Sequence, residues 1–170
     1  MRSYFQKFRG EHAPLAAKAN IKEIAFAWGG GFIAIALIGF LTQSLEYPLI
    51  LGSFGASCVL LFGFPKSPFS QPRNVIAGHF LSTLIGLIFF HLIGDMWWSM
   101  ALALATALAV MLATNTVHPP AGSNPIIVFL LGAPWTFLIT PTLIGAVILV
   151  IVALFYLNLK KSLVYPSYWV

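Results

Sequence analysis

Four stretches of this chain, Ile24 to Leu41, Val75 to Ile93, Ser99 to Val117 and Phe137 to Leu159, contain no Asp, Glu, Lys or Arg. A helix needs about 20 mostly apolar residues to cross the hydrocarbon core of a bilayer, so each run is long enough to be a transmembrane helix. Only 8% of the 170 residues are charged and 59% are hydrophobic, against about 25% charged in soluble domains. The chain is therefore expected to be an all-α polytopic membrane protein. Its length suits one membrane domain and leaves no room for a second folded unit.

The four acidic residues, Glu11, Glu23, Glu46 and Asp95, lie at the ends of the apolar runs or outside them. The net charge of +5 comes mostly from Arg2, Lys7, Arg9, Lys18 and Lys22 at the start and from Lys160 and Lys161 near the end. Basic residues that flank apolar spans are juxtamembrane features, so the expected surroundings are a lipid bilayer and not nucleic acid. Residues 1–22 read as a basic leader, 23–160 as the transmembrane domain and 161–170 as a tail. The leader runs into a full-length apolar segment without a small-residue cleavage site, so a cleaved signal peptide is not expected. Its Tyr4, Phe5 and Phe8 suit either a segment lying on the membrane surface or a solvated arm. Cys58 is the single cysteine, which excludes an internal disulfide.

Two further apolar stretches, Pro48 to Phe64 and Val117 to Ala133, are short and interrupted. They also match each other. A shift of 69 positions sets Val59, Leu61, Gly63 and Pro65 on Val128, Leu130, Gly132 and Pro134, with Pro72 on Pro141 and Ala77 on Ala146. The domain then reads as two copies of long helix, interrupted segment and long helix, about 23–93 and 94–160.

Basic residues favour the cytoplasmic side. If both short stretches cross, the N-terminus, Lys66, Arg73, Lys160 and Lys161 all fall inside, and Glu46 and Asp95 fall outside. Re-entrant stretches would put Lys66 and Arg73 outside. Six crossings fit the charges better: four full transmembrane helices plus two interrupted half-helix spans. Three crossings per copy make an inverted 3+3 internal repeat, as in many secondary transporters. A 17-residue stretch reaches roughly 25 Å as unbroken helix and about 40 Å when half of it is extended, so a broken segment spans where a straight one barely would. Tyr47, Trp97, Trp98 and Trp135 would form an outer aromatic belt, and Trp28, Tyr165, Tyr168 and Trp169 an inner one.

The second interrupted stretch contains "TVHPPAGSNPII", residues 116–127. Consecutive prolines are barred from a helix interior, and each pushes its predecessor out of helical backbone. His118-Pro119-Pro120-Ala121-Gly122-Ser123 is therefore expected to be non-helical. Asn is a preferred N-cap and Pro a preferred first helical residue, which starts a short helix at Pro125, capped by Asn124 and running to about Gly132. The partner of Asn124 in the shifted copy is Gly55, inside "LGSFGASCVLL", where Gly52 and Gly55 permit a similar break. Irregular backbone at membrane depth is tolerated only where it is buried in protein or lines a polar cavity.

Under the inverted repeat the two half-helix N-termini face each other near the midplane. Each brings unpaired N–H groups and a positive dipole end, and such a site attracts a small anion without any lysine or arginine. The substrate-binding candidates are Ser53, Gly55, Ser57, His118, Gly122, Ser123 and Asn124. Five of them have a competing structural reading: Ser53, Gly55 and Ser57 as close-packing residues, His118 and Asn124 as a turn and its cap. His79 and His91 read as structural or interfacial positions. Ala101, Ala105, Ala109 and Ala113 form an i, i+4 stripe expected to be a helix-packing face, matched in the other copy by Gly29-Gly30-Gly31.

No carboxylate lies within a span, so the Asp/Glu proton relay common in transporters is missing. His118 or His79 would be the groups available to carry a proton. Four histidines at unrelated spacings and one cysteine make no metal constellation. Ser123 with His118 is the only nucleophile–base candidate, and nothing in the sequence holds that pair at bonding distance. Neither enzymatic activity nor a cofactor is expected.

"LGSFGASCVLLFGFPKSPFSQPRNVIAGH" followed by "TNTVHPPAGSNP" strongly resembles the HPP family of integral membrane proteins, whose tripeptide stands here as His118-Pro119-Pro120. The resemblance covers about residues 22 to 160, with both motifs in order. Members are usually described with four transmembrane helices, to which the reading above adds the two interrupted segments. Members in plastids and cyanobacteria are associated with nitrite transport, so the resemblance implies a nitrite or small-anion transporter, with the HPP and Gly52 to Ser57 stretches as motif positions. Nitrite is small, monovalent and planar and accepts hydrogen bonds; nitrate, formate and bicarbonate would fit a similar site. The expectation is a small-anion transporter or channel, nitrite first. It would be a multi-pass protein of a bacterial inner membrane with both termini cytoplasmic, self-associating through its small-residue faces as a homo-oligomer. The alternative is a non-transporting membrane scaffold, or a subunit of a membrane complex, that uses the prolines as a fold device.

Overall fold

The computed structural model describes residues 4–9, 13–15 and 17–169; Arg2 and Glu11 of the leader lie outside them. Among the described residues all regular structure is helical. Six α-helices follow in order: α1 (Ile21–Ser44), α2 (Gly52–Gly63), α3 (Pro72–Ile88), α4 (Trp97–Ala113), α5 (Asn124–Leu131) and α6 (Ile144–Leu157).

Local chemistry sets the boundaries. At the start of α1 the Asn20 side chain accepts from the Glu23 N–H and the Glu23 carboxylate accepts from the Asn20 N–H, each at 3.0 Å, which satisfies two otherwise orphaned donors. α3 opens on Pro72, whose missing N–H would be unpaired there anyway. It continues through a π-turn, Phe89–Ile93, and stops at Gly94, where φ is 116°, a value open to glycine and strained for other residues. α5 ends at the left-handed Gly132, as its sequence suggests. Ahead of α6, Trp135–Leu138 and Ile139–Leu143 form a 3₁₀ and a π-turn kinked at Thr140, because Pro141 offers no N–H to the helix ladder.

Among the described residues three helical stretches are long and apolar enough to cross a membrane: Ile21–Ser44, Pro72–Ile93 and Trp135–Leu157. The expected fourth is shorter. α4 has 17 residues, about 25 Å of helix, because the chain turns at Thr114 and Asn115. The Thr114 hydroxyl donates back to the Val110 carbonyl at 2.8 Å, and Asn115 adopts φ 55°, the local side-chain and backbone behaviour that ends helices. Gly52–Gly63 and Pro119–Leu131 are the shorter apolar helices between these.

α3 packs against α4, α5 and α6, while α1 lies outside against α2 and α6. The close approaches come from small residues on α3 at i, i+4 and i+8. A Cβ on Gly78 would stand 2.7 Å from the His118 Cβ, and one on Gly86 would stand 2.8 Å from the Pro125 Cα. Between them Ser82 donates to the Ala121 carbonyl at 2.6 Å. Residues 118–125 thus lie in a channel cut along α3 by absent side chains.

Two expectations are corrected here. The buried face of α4 is Ser99, Ala103, Ala107 and Met111; Ala101, Ala105, Ala109 and Ala113 face outward. Two i, i+4 stripes two residues apart lie on opposite sides of a helix, and the one holding Met111 packs inward. Tyr165 is not interfacial. It is 2% exposed and its hydroxyl donates to the Ser70 carbonyl at 2.8 Å, and burial pushes that hydroxyl above the usual tyrosine range.

That contact belongs to a clamp at one end of the bundle. The Gln71 amide donates to the Pro65 and Ser67 carbonyls and accepts from the Ser167 N–H. Asn158 brackets Tyr165, donating to its carbonyl at 2.6 Å and accepting from its N–H at 3.0 Å. At the same end Arg73 donates to the Thr114 carbonyl at 3.0 Å. At the other end His91 donates to the Ala133 carbonyl at 2.9 Å and stacks on Trp135.

Candidate functional site

Where α2, α3 and the 118–124 segment meet, a string of polar side chains is buried. Ser57, His79, Thr83, His118 and Asn124 are each 0% exposed. His79 follows Gly78 and Thr83 follows Ser82 along α3, so each polar group stands beside the small-residue stripe that admits the neighbouring chain. α2 supplies Ser57, and Ser53 sits one turn before it. His118 immediately precedes the two prolines, and Asn124 is the first residue of α5.

The hydrogens on this string can be assigned by elimination. His118 Nδ1 lies 2.7 Å from the Phe69 carbonyl, which only accepts, so Nδ1 carries the hydrogen and Nε2 is bare. Ser57 Oγ has two acceptors in reach, the Ser53 carbonyl at 3.2 Å and the bare His118 Nε2 at 2.8 Å, and its hydrogen goes to the closer one, which has no other donor. A hydroxyl has one hydrogen, so Ser57 must accept from His79 Nε2–H at 2.9 Å. His79 Nδ1 is then bare and accepts from Asn124 Nδ2 at 3.0 Å. The second amide hydrogen of Asn124 goes to Thr83 Oγ1 at 2.9 Å. Every donor points from Asn124 toward Phe69, and all four ring nitrogens are matched. Phe54 closes one side, its ring edge-on to His79 with centroids 5.2 Å apart.

Two atoms beside the string are not matched. Ser53 Oγ and Asn124 Oδ1 are buried without a hydrogen-bond partner, a condition that costs about 1–3 kcal/mol each.

Of the residues singled out by sequence, Ser57, His118 and Asn124 come together here, with Ser53 adjacent. Gly55 lies on the exposed face of α2, and Gly122 is half-buried with open space where a Cβ would be. The Ser123 hydroxyl turns back to the Pro120 carbonyl at 2.8 Å. The backbone expectation is also corrected. Pro119–Ser123 is a 3₁₀ helix that leads straight into α5, and Asn124 is helical (φ −62°, ψ −41°) rather than a cap. Proline's fixed φ suits a first helical turn, so the pair begins a helix where it was expected to prevent one. A helix that starts on Pro119 and Pro120 has no N–H at either residue, and the Ala121 N–H is bonded to the His118 carbonyl. Side chains, not free amides, are the donors at this end. His79 and Thr83 were not among the expected site residues; the spacing of Gly78, Ser82 and Gly86 was the signal that would have found them.

The family model of the HPP transmembrane region matches residues 16–166. Two transmembrane proteins of Dictyostelium discoideum are each 34% identical to the chain over 98% of its length. The chain spans about three fifths of these curated relatives, 63% of one and 57% of the other. No solved structure matches.

Proposed function

Since the chain belongs to the HPP transmembrane family, we propose that it passes a small inorganic anion, nitrite first, across a membrane where α2, α3 and α5 meet. The observation that carries this reading is the buried hydroxyl of Ser53, an unmatched donor beside an otherwise complete string. Hydrogen-bonded pairs buried only for packing are replaceable by apolar groups at little cost, whereas a site for a polar ligand needs polar atoms left over. Ser53, Ser57, His118 and Asn124 line the path, joined by His79 and Thr83; Gly122 and Ser123 shape the turn behind them. α2 and the Pro119–Leu131 helix are the two half-spans of an inverted repeat. In support, the 64–71 loop meets the 158–169 tail at one end of the bundle, and Ala133 meets His91 at the other.

The second reading, a non-transporting scaffold, is favoured by one feature: every imidazole nitrogen already has a protein partner. Uptake by proteoliposomes separates the two. We expect saturable nitrite entry that falls at least about tenfold, equivalent to about 1.4 kcal/mol, in Asn124→Ala. No entry of nitrite, nitrate, formate or bicarbonate with folded protein would favour the scaffold.

A further inference from the structure

The Asn124 amide faces the wrong way to hold an anion. Its Nδ2 serves His79 Nδ1 and Thr83 Oγ1, and its Oδ1, fully buried, has no donor. An unmatched acceptor repels a negative ligand. Turning the amide over would present NH₂ in its place, but would set Oδ1 against the bare His79 Nδ1, acceptor to acceptor. His79 cannot shift its own hydrogen to help, because the Phe69 carbonyl, His118 and Ser57 in sequence fix Nε2 as its donor. One change frees the amide: a proton added at Nδ1, which makes both ring nitrogens donors.

We propose that this site takes its anion together with one proton, held on His79 Nδ1, and that the Asn124 amide couples the two. The inference rests on the anion reading above. In the loaded state His79 Nδ1–H donates to Asn124 Oδ1, and the Thr83 hydroxyl turns to donate to the same oxygen. The Asn124 NH₂ then points where Oδ1 stood, offering donors to the anion. One N–H bond forms on loading and breaks on release; the proton comes from water on one side and returns to water on the other. No electrons move. The imidazolium supplies the counter-charge that a lone buried anion would lack, and an uncompensated buried charge is the costliest arrangement available.

The groups facing His79 leave it in this role. α2 contributes Ser57 and Phe54, and the segment before α5 contributes His118, the ring centroids 4.9 Å apart. The buried residues of α4 are Ser99, Ala103, Ala107 and Met111. Toward α6 stand Thr142, which meets Thr83, and Gly145, which seats Phe54. His118 is the titratable member of this set, and both its nitrogens are engaged. Arg73 is at the end of the bundle, bonded to the Thr114 carbonyl.

The test uses purified full-length protein in proteoliposomes with nitrate, whose conjugate acid is too strong to leak through lipid, and with nitrite measured against protein-free vesicles. An acidic exterior should drive accumulation by about tenfold per pH unit, and an internal pH dye should report acidification as the anion enters. Asn124→Asp offers acceptors in either orientation and should lose uptake and acidification together, by more than about tenfold. A second readout needs no transport: ¹⁵N spectra of the histidines, assigned with His79→Gln, should show His79 gaining a second N–H when nitrate is added at constant pH. Uptake indifferent to the pH gradient, with no proton movement and no new imidazolium signal, overturns the coupling and leaves the anion reading standing. Absence of uptake of both anions by folded protein overturns both.

Discussion

Ser57 has one hydroxyl hydrogen and two imidazoles to satisfy, and that arithmetic orients the whole string from Asn124 to the Phe69 carbonyl. Ser57→Ala would leave the His79 Nε2–H without an acceptor and His118 Nε2 without a donor. With each buried group left unmatched at about 1–3 kcal/mol, the substitution should destabilise the protein by about 3 kcal/mol, read as a lower midpoint of thermal unfolding in detergent. Ser123→Ala, which removes a bond inside one turn, should cost less than about 1 kcal/mol. Equal effects from the two would remove Ser57 from its bridging role. At this scale the sequence marked His118 and Asn124 as polar residues on either side of the proline pair, although Asn124 is helical and caps nothing. His79 was not legible, because a lone histidine in an apolar run looks the same whether it meets lipid or another histidine. Only the partner chain in the fold, brought in by Gly78, distinguishes them.

α3 decides how close the segment of residues 118–125 comes. Gly78→Ala and Gly86→Ala each drive a Cβ to within 3 Å of a neighbouring residue, in the second case of backbone, and overpacking of this kind costs about 1–3 kcal/mol. Gly55→Ala, on an open helical face, should be neutral or stabilise by up to about 1 kcal/mol through helix propensity. Unfolding midpoints of the three variants check this, and a harmless Gly86→Ala would mean that α3 and α5 are less closely packed than described. The apolar runs made the long helices readable to within a few residues, since length and lack of charge leave little else for them to be. The start of α5 was misread because proline is both a helix breaker and a good first residue, and the choice turns on what precedes it. The stripe of α4 was misread because two small-residue faces alternate on one helix, and which one packs depends on α3.

For the whole molecule, the two ends of the bundle differ in chemistry: one gathers the 64–71 loop, Arg73 and the tail, the other His91, Ala133 and Trp135. Lys66→Cys and Pro134→Cys should react with a membrane-impermeant maleimide from opposite sides of sealed vesicles, with Cys58, buried between helices, giving little background. Labelling from the same side would exclude six crossings. The charge pattern anticipated which loops share an end, but not the clamp, since nothing in the tail's composition announces that Tyr165 is buried. That clamp has a genetic consequence. The Phe69 carbonyl that orients His118 is carried on a loop whose neighbours, Ser70 and Gln71, are tied to Tyr165 and Ser167. A screen for loss of activity will therefore return alleles in the tail beside alleles in the core histidines, and intragenic suppressors will pair the two, though the tail is far from both histidines in the sequence.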